Sequence, residues 1–305
     1  MYHTGLSRDG PGLLLRDIRR TEPDILTARD ALVALYPDAV LLLDFEHDRD
    51  LLAVSAFAAL LNDAGLPLPH HYAPRPNSGL ATDLDLDGDG RRGEADDAQG
   101  WGRFSGAGGM ALLSRHPILT ATDHSAFLWR DLPASRFPHV DGQPFPSAQA
   151  FALQRLASTG FWDVTLATPQ GPLTLLTWHA GPPVFGGPHQ RNHWRNADET
   201  AFWRWRLDGG LSPVPEPFVL LGDANLDPAA GAGERGEIAA LLAHPRLQDP
   251  LSGQPTALWP DGPGALRVDY LLPSAVLRLR DSGLVWPMPD ATHAIVWVDL
   301  DLPAP

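Results

Sequence analysis

The 305-residue chain is 44% hydrophobic and 20% charged, enough apolar residue to bury a sizeable core. Its formal net charge is −14 and all 23 of its basic residues are Arg, a balance that repels polyanions and argues against tight, sequence-independent binding of nucleic acid. Cysteine is absent, which excludes disulfides, thiolate metal sites and Cys nucleophiles.

Met1 to Gly10 lacks the basic-then-apolar pattern of a signal peptide, and no apolar run approaches the roughly 20 residues that span a bilayer. Arg16 to Leu35 reads as a helix stopped by Pro37. Ala39 to Leu43 is wholly apolar, as a buried strand should be. Asp50 to Ala64 is Ala/Leu-rich and helical, ended by Gly65. Residues 73–108 form a long loop rich in Gly and Asp, followed by a strand over Gly109–Arg115. Phe161–Ala167 alternates as a strand does, and Leu173–Thr177 is a strand that delivers His179. Asn192–Leu207 predicts a helix carrying three Trp. Phe218–Leu221 is a strand running into Gly222-Asp-Ala-Asn225, Glu237–Leu242 is a short helix, and Arg267–Leu272 and Ile295–Leu300 are the last strands. No repeat period appears and no linker is polar enough to divide the chain, so residues 1–305 are expected to form a single domain.

Several strands end in polar groups: Asp44, His179, Asp223, Asn225 and His293. Strand ends are where a rigid scaffold assembles a site. Asp223 and Asn225, two residues apart on extended chain, face the same side and suit one hard cation or one attacking water, although the segment alone also fits an Asx turn. His179 suits a phosphate oxygen, and His293 at a strand mouth suits a general base. A base needs an orienting group, for which Asp269 in Arg267-Val-Asp-Tyr270 is the candidate.

The segments GGMALLSRHPI (108–118), LLTWHA (175–180), FVLLGDANLDP (218–228), RVDYLLPS (267–274) and THAIVWVDL (292–300) occur in that order. Together they resemble the core motifs of the endonuclease/exonuclease/phosphatase family. The resemblance implies a DNase I-like, four-layered α/β sandwich: two packed mixed β-sheets flanked by helices. It implies hydrolysis of a phosphate ester by in-line attack of water, assisted by Mg²⁺ or Mn²⁺. By the same resemblance Asp223 and Asn225 match the pair that holds water and phosphate, His293 the base, Asp269 its orienting carboxylate and His179 the substrate-binding His.

The chain departs from the family pattern at three places. The family's metal-binding Glu follows its strand as Gln-Glu, whereas Leu41-Leu-Leu-Asp44-Phe-Glu46 offers Asp44 or Glu46, the longer reach of Glu46 favouring it. His3 and Gly5 stand where the first strand carries an Asn and an acid, and Thr292 replaces the Asp before the terminal His. These changes favour one catalytic metal over two.

Residues 83–96 fit an Asp-x-Asp-x-Asp-Gly-x₅-acid calcium loop in two frames. The favoured one uses Asp85, Asp87, Asp89 and Asp96, with Gly90 at the turn; the other uses Asp83, Asp85, Asp87 and Glu94 with Gly88. Closely spaced carboxylates repel unless a cation neutralises them, and Ca²⁺ here hints at a periplasmic or secreted protein. Gly181–Gly186 and Arg191–His193 are candidates for lining a pocket, and Arg195 and Asn196 for holding an anion, with Trp203 and Trp205 as core anchors.

The leading expectation is a metal-dependent phosphoesterase acting on a small phosphorylated substrate. A nuclease using the same site is the alternative, disfavoured by the net charge. A catalytically degenerate, calcium-stabilised binding protein is the competitor from another class, motivated by His3, Gly5 and Thr292.

Overall fold

The computed structural model describes residues 1–303. In chain order its elements are β1 (Tyr2–His3), α1 (Leu13–Arg20), α2 (Pro23–Leu35), β2 (Ala39–Leu43), α3 (Leu52–Asp63), β3 (His70–Tyr72), β4 (Met110–Ser114), β5 (Ile118–Asp123), β6 (His139–Val140), β7 (Gln143–Pro144), α4 (Ala148–Leu153), β8 (Gly160–Thr168), β9 (Gly171–His179), α5 (Arg191–Leu207), β10 (Phe218–Asp223), α6 (Arg235–Leu242), β11 (Ala257–Trp259), β12 (Gly264–Leu266), β13 (Asp269–Pro273), β14 (Arg278–Val285) and β15 (Ile295–Asp301).

Two mixed sheets carry the fold, in the orders β1-β2-β4-β3 and β13-β10-β9-β8-β5. The β14-β15 hairpin continues the first sheet, because Met1 and Val296 exchange backbone hydrogen bonds beside β1. Alternation along the strands decides which layer each side chain enters. Leu41 and Leu43 of β2 and Met110 and Leu112 of β4 meet Trp162, Val164, Leu175, Val219 and Leu221 of the second sheet. Val40, Leu42, Ala111 and Leu113 point the other way, into α1, α2 and α3. Phe161, Leu176, Trp178 and Leu220 likewise pack on Phe202 and Trp203 of α5 and on Ile238 of α6. The layers therefore run helix, sheet, sheet, helix, the four-layered α/β sandwich. A strand buried on both faces must be apolar at every position, and β2 is.

The expected helix over 16–35 is two helices. Thr21 takes a left-handed backbone (φ 51°) and Pro23 opens α2 at its first turn, where the missing N–H costs nothing. The 17-residue α5 buries polar as well as apolar positions, Arg195, Asn196, Asp198 and Glu199 among them, because loops cover its N-terminal half. Among the described residues no helix is long and apolar enough to cross a membrane.

Candidate active site

Strands β9, β10 and β13 lie side by side, and their register sets Asp223 opposite both His179 and Asp269. Gly222 is needed here for close approach: a Cβ would sit 2.0 Å from the Trp178 ring and 2.1 Å from its carbonyl oxygen. Beyond Asp223 the chain turns. Asn225 is left-handed (φ 51°) and donates its backbone N–H to Asp223 Oδ1 at 2.6 Å. Its side-chain Nδ2 donates to the Ala180 carbonyl at 2.9 Å, which ties this turn to the one after β9. The Asx turn and the family pairing are one geometry.

His293 lies two residues before the first residue of β15 and bridges to Ala257. Its Nδ1 lies 2.8 Å from Asp269 Oδ2, and both side chains are buried. Thr256 Oγ1 accepts the backbone N–H of Asp269 at 2.9 Å and so holds the start of β13. The expected base–orienter pair is thus in contact, leaving His293 Nε2 as the unspent nitrogen.

His3 is also in the site. Strand β1 runs parallel to β2, and that register carries His3 to the Leu43 end of the sheet. Its ring stacks on His293 with centroids 4.0 Å apart and planes within 10°, and meets His179 edge-on at 5.2 Å. His3 Nε2 and His179 Nε2 each lie 3.9 Å from Asp223 Oδ2. That is too long for a direct hydrogen bond. Ligand atoms of His3, Asp223 and His293 all fall within 4.8 Å of one another. One carboxylate and two imidazoles so gathered are a donor set that fits a divalent cation.

The electrostatics follow from burial of like groups together. Burial pushes His3 well below its usual range, and the neighbouring His293 and His179 add to the effect. His179 is pushed down to about 4, by burial and then by His293. Burial also works to lower His293, but the charge and hydrogen bond of Asp269, with Asp223 and Asp44, outweigh it and lift His293 to about 9. Asp223 is held well above the carboxylate range by burial and by the facing Asp269, against the pull of His293. The cluster therefore keeps its positive charge on His293, and leaves His3 and His179 as neutral rings with lone pairs to offer.

Asp44 and Glu46 part company. Asp44 ends β2 in a left-handed conformation (φ 53°), and its side chain lines the cavity that His179 also lines. Burial raises it, while hydrogen bonds from Ser7 draw it down. Glu46 is 2% exposed and accepts the backbone N–H groups of Gly12 and, at 3.2 Å, Leu14. Helix α1 has Gly12 at its N-cap and no side-chain cap of its own, so its open N–H groups recruit Glu46 instead. The sequence offers Asp44 or Glu46 as metal ligand with Glu46 preferred; here the Glu46 carboxylate is bonded to a helix end and Asp44 is the one that lines the cavity. Thr292 contributes only a carbonyl, which accepts from Leu258 N–H at 2.8 Å.

A cavity of about 600 Å³ opens beside His179, lined among others by Asp44, Asp96, Trp101, Phe185, Arg191 and Arg195. Its two guanidinium groups hold loop backbone. Arg195, buried and lowered to about 10 by that burial, donates to the carbonyls of Leu156, Gln99, Arg155 and Ala157. Arg191 donates to those of Leu86 and Asp96. Asn196 ties the Gly181 and Ala224 carbonyls together, and His193 pairs with Glu234. Glu199, pushed up to about 7 by burial against the pull of Arg195, accepts from Ser158 and Gly181 N–H and braces the cavity wall.

In the acidic loop, carboxylate oxygens of Asp85, Asp87 and Asp89 lie within 4.8 Å of one another. Asp85 accepts from Gly88 and Gly90 N–H, Asp87 from Asp89 N–H and Asp89 from Arg91 N–H. Gly88 and Gly90 both have positive φ (82° and 90°), which the tight turn demands. The expected fourth ligand, Asp96, is not in the cluster. Its carbonyl faces Arg191, and the neighbouring Asp97 takes the inward position, accepting from Leu86 N–H at 2.8 Å and Glu94 N–H at 3.2 Å.

Residues 10–294 match the model of the endonuclease/exonuclease/phosphatase family. The chain belongs to this family. Solved family folds match it throughout. An endonuclease/exonuclease/phosphatase protein from Beutenbergia cavernae is 18% identical with a TM-score of 0.61, over 98% of this chain and 69% of that one. The human Nocturnin catalytic domain with bound sulfate is 15% identical with a TM-score of 0.52, over 91% of this chain and 85% of that one. The 3′ phosphatase NExo from Neisseria, bound to product DNA hairpin, is 18% identical with a TM-score of 0.50, over 91% and 94%. At these identities the likeness is one of fold. No curated protein matches the sequence. Within the endonuclease/exonuclease/phosphatase frame, His3 is the residue sequence reasoning undervalued: it counted as a loss at an Asn position, but its ring belongs to the site.

Proposed function

We propose that the protein is a divalent-metal-dependent phosphoesterase that hydrolyses a small phosphorylated substrate by in-line attack of water, the chain acting as one domain. The observation that carries this is the buried 2.8 Å pair of His293 Nδ1 and Asp269 Oδ2, opening on the pole where Asp223, Asn225 and His179 also end. Asp269 fixes the ring so that Nε2 faces the reacting water; with a cation held beside it, His293 would lose the proton that the cluster otherwise keeps there, which frees Nε2 to take the water's proton. Asp223 and Asn225 orient that water and the phosphate, while His179, neutral, donates to a phosphoryl oxygen as negative charge develops. His3 and Asp223, with Asp44 near, are the groups that would hold the ion. When bound, the ion draws charge from the phosphoryl oxygens and acidifies the attacking water.

A small substrate is favoured over nucleic acid because the guanidinium groups lining the cavity are committed to loop carbonyls and the net charge is −14. At the rim the exposed Trp101 and Phe185 offer apolar faces to a leaving group. We further propose that Asp85, Asp87 and Asp89 take Ca²⁺, which suits an extracytoplasmic setting rich in that ion.

The test is hydrolysis of p-nitrophenyl phosphate and bis-p-nitrophenyl phosphate with Mg²⁺, Mn²⁺, Ca²⁺ or EDTA. Turnover should need the metal and fall by about 10²–10⁴-fold in His293→Ala. Absence of turnover from a folded protein with every metal supports the degenerate binding alternative instead.

A further inference from the structure

We propose that His3 is a nitrogen ligand to the catalytic ion beside Asp223, and that the site thereby selects an imidazole-accepting divalent cation (Mn²⁺, Co²⁺ or Zn²⁺) over Mg²⁺. This rests on the metal-dependent reading of the same site and names the ion it takes.

The first support is distance. His3 Nε2 and Asp223 Oδ2 are 3.9 Å apart. Two ligand atoms each about 2.1 Å from a common ion lie roughly 3.0 Å apart at a right angle and roughly 3.4 Å apart at the tetrahedral angle. A direct hydrogen bond would close the gap below about 3.2 Å. The pair stands about half an ångström beyond the tetrahedral separation and outside hydrogen-bond contact, a gap that a small turn of either side chain would close on a shared ion.

The second support is the ligand type. Mg²⁺ prefers an all-oxygen shell with several waters, whereas imidazole suits the later first-row ions. An oxygen-only shell would find its carboxylates here partly withdrawn: Glu46 is bonded to the start of α1. Nitrogen donors fill the gap. The third support is rigidity. His3 sits on a strand hydrogen-bonded to β2 and is clamped between the flat face of His293 at 4.0 Å and the edge of His179 at 5.2 Å. A ring so held keeps its lone pair aimed without further ordering.

The experiment measures binding, so it does not depend on turnover. EDTA-treated protein carrying Asp85→Asn and Asp87→Asn, which removes the acidic loop as a competing site, is dialysed against Co²⁺, Zn²⁺ or Mn²⁺ with a tenfold excess of Mg²⁺. Bound metal is counted by mass spectrometry, and Co²⁺ coordination is followed by its visible absorption. About one equivalent of Co²⁺ or Zn²⁺ should survive the Mg²⁺ challenge. His3→Ala should weaken Co²⁺ binding at least tenfold and abolish the absorption band. His3→Asn, which keeps a polar side chain but offers oxygen, should narrow the preference over Mg²⁺. Displacement of Co²⁺ by equimolar Mg²⁺, or an unchanged Co²⁺ spectrum in folded His3→Ala, overturns the proposal. Tight His3-dependent binding in a protein without phosphoesterase turnover leaves the ligand assignment standing and sinks the catalytic reading instead.

Discussion

The proposed catalytic pole and the acidic loop are built from the same residue type and place it in different surroundings. At the pole, Asp223 and Asp269 are each 1% exposed and face one another across paired strands, with imidazoles as their partners. In the loop, Asp85 is half-buried, Asp87 and Asp89 are exposed, and all three accept backbone N–H groups a few residues on. Asp223 also accepts a local N–H, from Asn225, so the difference lies in burial and in the charged groups that long-range structure sets beside it. The loop carboxylates are held by their own turn, so their role is limited to what a turn can do, which is to stiffen around a cation.

That contrast is open to direct attack, and the largest effect belongs to the pole. Asp269→Asn keeps the shape of the pair but leaves His293 with the wrong tautomer and no countercharge, so turnover should drop by about 10²–10⁴-fold with folding retained. A rate within twofold of wild type would separate His293 from the base role.

Glu199 extends the comparison to a buried acid outside the metal cluster. Its folded-state value is about 7 against an ordinary 4.5, so the folded protein binds this proton more tightly than the unfolded chain does. The contribution is therefore most favourable below about pH 4.5 and is lost as pH rises to about 7, a change on the order of 3 kcal/mol at most. Denaturant midpoints across that window should show a downward component that Glu199→Gln removes. Identical slopes in the two proteins would mean that Glu199 is ionised throughout.

In the loop the readout is thermal. Ca²⁺ at a hundredfold excess over its dissociation constant should stabilise the protein by about 2.7 kcal/mol, and Asp85→Asn should abolish the gain. A melting temperature indifferent to Ca²⁺ would reduce the loop to self-satisfied turns. The smallest effect is expected from Glu46→Ala, which strips the start of α1 of its acceptor at a cost of about 1–2 kcal/mol and leaves metal-dependent turnover intact. Loss of metal binding in that variant would restore Glu46 to the ligand set.

How much of this was legible in the sequence depended on the length of the local signal. Strands β2, β9, β10 and β15 are apolar over several residues, and each runs into or starts from a polar residue, so their ends could be read. Strand β1 has two residues, too few to show a period, and the significance of His3 became visible only through its pairing with β2. Asp44 and Glu46 differ in fate because the chain turns left-handed at Asp44 and because α1 lacks a cap, neither of which the strand pattern encodes. Asp96 stands outside the cluster for a similar reason: the short helical turn at Ala95–Asp97 buries Asp97, which accepts backbone N–H groups of Leu86 and Glu94. The paired strand β14 is mostly polar and half exposed, so it carries little apolar alternation to detect.

The anchoring of the 73–108 loop has a consequence for how this protein can change. Arg191 and Arg195 project from α5 and hold the loop and its neighbours by main-chain carbonyls rather than by side chains. Such contacts are indifferent to which residues the loop carries. The exposed Trp101 can thus vary while the attachment persists, and the strands that align Asp223, Asp269 and His293 lie outside the loop. Under the proposed phosphoesterase reading, substrate preference would be able to drift through substitutions in the loop while the strands that carry the reaction stay unchanged.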